Sequence, residues 1–183
     1  MKKRLLFFFL YALFWLVFFY SNRFIFLITY FDEAKNVSCT DLAATFWYGS
    51  RLDFSTVGYF LILPAIAIFA TTYMKTRFLY HFLNIYTGIV LFAVSFLIAT
   101  DLELYKYWGF RLDATPLIYF KTPGEMLASV SWLTIVKQIG IAILFFLIFG
   151  FLYLKCIAKP IKNAKRAGWK NYPVFLLLIA GLI

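Results

Sequence analysis

Residues 5–20 read Leu5-Leu6-Phe7-Phe8-Phe9-Leu10-Tyr11-Ala12-Leu13-Phe14-Trp15-Leu16-Val17-Phe18-Phe19-Tyr20, directly after Met1-Lys2-Lys3-Arg4. As a helix this run is apolar on every face and has no side to turn toward water. A basic head followed by an apolar run is also how a signal peptide begins. Here the run reaches Tyr20 without a small-residue cleavage site, so it reads as an uncleaved signal anchor. Beyond Ser21-Asn22-Arg23 the apolar residues resume as far as Tyr30. A helix over 5–30 is about 39 Å long, enough to cross a hydrocarbon core of about 30 Å with some tilt.

Working outward, a second span is expected over 54–74, with Pro64 placed to kink it, and a third over 78–99. Thr122-Pro123-Gly124-Glu125 has the form of a capping box and starts a helix. Continued to Leu154, that helix would be about 48 Å long, more than a bilayer core needs. The expectation is therefore a short interfacial helix, a bend near Ser129 to Ser131, and a fourth span over 132–154. A fifth starts at Pro173 and covers 173–183, about half a crossing, so the chain is expected to end inside the membrane. The fold class expected is all-α, a polytopic membrane protein of about five transmembrane helices with the fifth truncated. Residues 1–183 then form one membrane-anchor domain.

Composition agrees: 64% of the residues are hydrophobic and 23% aromatic, against roughly 45–50% apolar in an ordinary soluble domain. The net charge of +10 does not point to nucleic acid, because Lys and Arg fall in short patches between apolar runs rather than in a basic stripe. Membrane topology accounts for them. With a cytoplasmic amino terminus, the inner segments hold Lys2, Lys3, Arg4, Lys75, Arg77, Lys155, Lys159, Lys162, Lys165, Arg166 and Lys170. All eight acidic residues, Asp32, Glu33, Asp41, Asp53, Asp101, Glu103, Asp113 and Glu125, fall in two outer loops. This is the positive-inside pattern, and it directs a fifth helix outward. Cys39 and Cys156 then lie on opposite sides of the bilayer and do not pair.

The outer loops contain a repeat. Tyr48-Gly49-Ser50-Arg51-Leu52-Asp53-Phe54-Ser55 aligns with Trp108-Gly109-Phe110-Arg111-Leu112-Asp113-Ala114-Thr115, and Tyr59-Phe60 with Tyr119-Phe120. One reading is structural: Asp53 or Ser55 caps the second helix, Thr115-Pro116 caps a short outer helix, and Arg and Asp form interfacial ion pairs. The other is a lipid headgroup site. Arg51 and Arg111 offer forked donors to phosphate, Asp53 and Asp113 accept from hydroxyls, and Tyr59 and Tyr119 join an apolar ring to a polar tip. Arg23, late in the first span, either snorkels outward or faces the bundle and adds a third cation to the same site.

No other chemistry stands out. His81 is the single histidine, close to Lys75 and Arg77 at the short connection expected between the second and third spans. Neither zinc-ligand spacing, nor a Gly-rich phosphate loop, nor a GxSxG nucleophile motif occurs, and the pairs Asp32-Glu33 and Asp101-Glu103 are too sparse to bind a metal. The chain alone is expected to be non-catalytic, with no metal site, no catalytic residue and no cofactor of its own.

The order of elements resembles the amino-terminal membrane region of bacterial lipoteichoic acid synthase-like proteins, which are sulfatase-type phosphoglycerol or phosphoethanolamine transferases. The resemblance is carried by Ser21-Asn22-Arg23, Phe46 to Ser55, Tyr59, Pro64, Tyr107 to Leu117 and Tyr119 to Pro123. It covers nearly the whole chain and implies a five-helix anchor in the bacterial cytoplasmic (inner) membrane. It further implies that an extracytoplasmic domain of the alkaline phosphatase superfamily, with a Thr nucleophile and Mn or Mg, follows the anchor. That catalytic domain is absent from this chain. Membrane lipids and the missing domain are the partners implied, and nucleic acid is not one. The rival expectation is a stand-alone polytopic scaffold or assembly protein.

Overall fold

The computed structural model describes residues 2–70, 76–112 and 131–159. It contains α1 (Lys2–Thr29), a single turn α2 (Phe31–Ala34), α3 (Cys39–Ala70), α4 (Thr76–Trp108) and α5 (Trp132–Leu152), which runs on as a π-helical turn, Tyr153–Ile157. No strand occurs among the described residues. α1, α3, α4, and α5 together with its π-helical turn are each long and apolar enough to cross a membrane. The protein is an all-α polytopic membrane protein. The expected fifth span at 173–183 and the helix opened by Thr122 to Glu125 lie outside the described residues.

Two helices run beyond the spans expected of them. The helix that carries the second span, α3, starts well before residue 54, at Cys39. Ser38 is its cap, accepting from the Asp41 amide at 3.2 Å while its hydroxyl donates to the Asp41 carboxylate at 2.8 Å. The first bond satisfies one of the open amides of the first turn and the second holds the serine hydroxyl in place, so the helix can start well before its apolar stretch. Asp53 and Ser55 are consequently interior helix residues and cap nothing. The helix of the third span likewise runs past residue 99, as α4 continues to Trp108, and it takes His81 into its second turn. The helix of the fourth span, α5, starts at Trp132, with the Ser131 hydroxyl accepting from the Thr134 amide at 3.3 Å.

The helices are apolar all round, but each buries only part of its surface, from 17% of the apolar window in the last span to 39% in α3. On α1 the buried side is Phe7, Tyr11, Phe14, Trp15 and Phe18, at helical spacing, while Leu6, Phe9, Leu13 and Val17 face out. Large apolar side chains directed outward, with polar groups inside, are the arrangement a lipid solvent favours.

Two compact units divide the chain, Met1–Thr87 with Phe151–Ile183, and Gly88–Gly150. In the first, α1 and α3 run antiparallel: Trp15 meets Phe60 with ring centroids 4.7 Å apart, and Tyr20 meets Phe46 at 6.0 Å. Buried tyrosines tie the remaining pieces to this pair. The Tyr11 hydroxyl is 3.1 Å from the Thr87 hydroxyl, and that of Tyr153, in the π-helical turn, donates to Asn84 at 3.0 Å. In the second unit, Phe92 of α4 meets Phe146 of α5 edge-on at 5.9 Å, and the Gln138 amide donates to the Glu103 carboxylate.

The proline expected to kink the second span lies within α3, which continues through it. Pro64 has no amide proton for the Phe60 carbonyl four residues earlier. The Tyr86 hydroxyl donates to that carbonyl instead, at 3.1 Å. In a membrane an unsatisfied carbonyl is costly, and a side chain from a neighbouring helix is a usual remedy. Tyr86→Phe is therefore expected to lower stability by about 1 kcal/mol, and by much less in a Pro64→Ala background where an amide serves the carbonyl. A double-mutant cycle on unfolding in mixed micelles measures the difference.

Candidate functional site

Arg23 does not snorkel outward. Its Nη2 donates to both carboxylate oxygens of Asp53, at 3.1 and 2.9 Å, and its Nη1 to the Phe46 carbonyl at 3.3 Å. The two side chains are 14% and 10% exposed, which makes this a largely enclosed ion pair between α1 and α3. The Tyr20 and Phe46 rings flank the guanidinium, with centroids 5.8 and 5.7 Å away. Aromatic faces attract such a cation most where water is excluded.

Gly49 makes the approach possible. A Cβ at this position would fall on the Arg23 guanidinium itself. Helix interiors disfavour glycine by roughly 1 kcal/mol relative to alanine, and here that cost is offset by bringing a cation against the α3 backbone.

The helix divides the first copy of the repeat between two faces. At about 100° per residue, Arg51 and Asp53 are about 160° apart around α3. Asp53 joins Ser50, Val57 and Leu61 on the buried side. Arg51 is exposed together with Tyr48, Leu52, Ser55 and Tyr59. The expected ion pair between Arg51 and Asp53 is therefore replaced by Arg23 with Asp53.

The second copy behaves differently. Gly109 follows the last residue of α4 with φ +70° and turns the chain out of the helix, its amide donating to the Tyr105 carbonyl at 2.9 Å. That left-handed conformation at a helix end is one glycine adopts freely. Arg111 then folds back onto Asp101 of α4, with Nε 3.0 Å from Oδ2 and Nη2 on the same oxygen, while the Leu112 amide donates to Oδ1 at 2.7 Å. Asp101 is 6% exposed, a buried carboxylate that the sequence had marked only as an acidic loop residue. Asp113 and Tyr119 lie outside the described residues.

Of the candidate residues, the structure thus brings Arg23 to Asp53 and Arg111 to Asp101, and leaves Arg51 and Tyr59 on an outward face. Both repeat copies supply one member of an ion pair, but opposite members: the acid in the first, the base in the second.

No family model, curated protein or solved structure matches the chain.

The spans therefore carry more charge than their apolar character suggests, with Arg4, Asp53 and Asp101 all buried. Among the described residues no three His, Cys, Asp or Glu side chains gather as metal ligands. The signal for the α3 start was present in the sequence as Ser38-Cys39-Thr40-Asp41, a serine followed three residues later by an acid. Asp101 gave none, since its partner is a matter of where the chain turns after Gly109.

Proposed function

We propose that the chain is the membrane anchor, and the lipid-presenting part, of a lipoteichoic acid synthase-like, sulfatase-family phosphotransferase acting on envelope lipids or glycans. One observation carries most of the reading. The motif residues behind the resemblance sit where a membrane fold uses them, Arg23, Gly49 and Asp53 in one largely enclosed contact and Arg111, itself half exposed, on the buried Asp101. An anchor needs such ties, because apolar helices in lipid gain little from the hydrophobic effect on associating, and polar contacts with close packing must hold them. Holding a catalytic domain at the surface that contains its lipid substrate raises their effective concentration, whatever the anchor itself binds.

In this reading the amino terminus is cytoplasmic, the membrane is the bacterial inner one, and Mn or Mg serves a catalytic domain beyond Ile183, with no residue of 1–183 assigned to the metal. The test has two parts. Reading the gene past Ile183 is expected to reveal an outer domain with a Thr nucleophile and a metal site. The full product is then expected to transfer phosphoglycerol or phosphoethanolamine from a phospholipid. A full product without such a domain and without transfer activity would favour the scaffold. Orientation is checked on the two free, exposed cysteines, Cys39 and Cys156. An impermeant maleimide is expected to label Cys39 in intact cells and Cys156 only after permeabilisation, and the reverse order would overturn the topology.

A further inference from the structure

The largely enclosed cation, Arg23, is matched by an acid, and so is Arg111, but Arg51 has no anionic partner among the described residues. It is exposed on α3, and the side chains around it form one band. At about 100° per residue, Tyr48, Arg51, Leu52, Ser55 and Tyr59 fall within an arc of about 100°. All five are exposed, Tyr48 to 65%, Leu52 to 74% and Tyr59 to 70%. The arc lies away from the Ser50, Asp53, Val57 and Leu61 side that packs inward.

Depth decides what this band meets. From Arg51 to the end of α3 at Ala70 the helix measures about 28 Å, close to the thickness of a hydrocarbon core. On antiparallel α1, the stretch from Arg4 to Arg23 also measures about 28 Å and brings Arg23 to the level of Asp53. Arg51 lies a further 3 Å or so beyond Asp53, which puts it among lipid headgroups. Trp47 and Tyr48, exposed beside it, are the residue types enriched at that level. Leu52 and Tyr59 lie along the same band toward the core, where acyl chains run.

We infer that this face of α3 is a binding site for the phosphate of an anionic phospholipid, with Arg51 as the forked donor, the Tyr48 and Ser55 hydroxyls as neutral donors, and Leu52 and the Tyr59 ring against the acyl chain. The inference deepens the headgroup part of the function proposed above. A guanidinium suits a phosphate because its parallel N–H groups match two oxygens at once. Asp53 does not compete for Arg51, since it is turned to the other side of the helix and bound to Arg23. The repeat thereby has two functions within α3: its acid holds the fold and its base meets the lipid.

The experiment uses the whole chain in nanodiscs of phosphatidylcholine containing phosphatidylglycerol, and counts by native mass spectrometry the lipids retained on ejection. Wild type is expected to retain phosphatidylglycerol in preference to phosphatidylcholine. Arg51→Gln is expected to weaken that preference about fivefold to tenfold, and Arg51→Lys to restore part of it. Arg77→Gln, which removes one exposed charge at the start of α4, is expected to leave the preference near wild type. Absence of a preference in wild type overturns the inference without any variant having to fold. Equal losses in Arg51→Gln and Arg77→Gln would reduce the effect to bulk charge and also overturn it. The readout needs no transfer activity, so a chain that retains the lipid through Arg51 but belongs to no transferase would refute the proposed function and leave this site standing.

Discussion

Asp53→Ala is expected to destabilise the membrane-embedded fold by about 3–5 kcal/mol, among the largest effects of any single truncation in the chain. The carboxylate is bonded through both oxygens to Arg23, and the pair is largely enclosed between α1 and α3. Its removal leaves a guanidinium among the Tyr20 and Phe46 rings with, among the described residues, only the Phe46 carbonyl to accept from it. The cost is that of the stranded cation rather than the worth of the pair. Replacing both residues with Leu is therefore expected to cost far less than Asp53→Ala alone, because no charge is then left uncompensated. Reversible unfolding in mixed micelles with a rising fraction of denaturing detergent measures both. A loss below about 1 kcal/mol in Asp53→Ala would place the pair with exposed salt bridges and remove it as the tie between the two helices.

Gly49→Ala carries the second largest expected effect, and its sign is the informative part. In an open helical position, replacing glycine by alanine stabilises by roughly 0.5–1 kcal/mol. Gly88 and Gly140 are such positions, with nothing near an added Cβ, and Gly88→Ala and Gly140→Ala are expected to follow that rule. At Gly49 the added carbon falls on the Arg23 guanidinium, which must swing off Asp53 to make room. The expected result is a loss of about 2–3 kcal/mol, the scale of charged hydrogen bonds broken in an enclosed site. In an Arg23→Ala background the obstacle is gone, and Gly49→Ala is expected to become neutral or stabilising. If Gly49→Ala stabilised the otherwise unaltered chain, the close approach of Arg23 to the α3 backbone would be wrong.

How much of this could be read in the amino-acid sequence depends on the range of the interaction involved. The four long helices were legible because each is set by its own residues, an apolar run too long for a soluble core and bounded by charge. The cap at Ser38 is equally local, but hydropathy alone starts the second span at residue 54 and puts Asp53 ahead of it. The repeat was legible as a pattern and misleading as a structure. Its first glycine is a gap inside a helix for a side chain from α1, and its second is a left-handed turn at a helix end, though both precede the same Arg-Leu-Asp.

The amino-acid sequence by itself determined that the protein lives in lipid and that it is built of helices, because solvent preference is a sum over residues and every backbone amide in a bilayer core must find its partner within the segment. It could not determine which charges neutralise one another. Arg23 and Asp53 are thirty residues apart, Arg51 is only two from Asp53, and yet the distant residue forms the bond. Rotation around α3 and the antiparallel packing of α1 decided that choice, since a side chain two positions along a helix points nearly the opposite way while one on a neighbouring helix can face it directly.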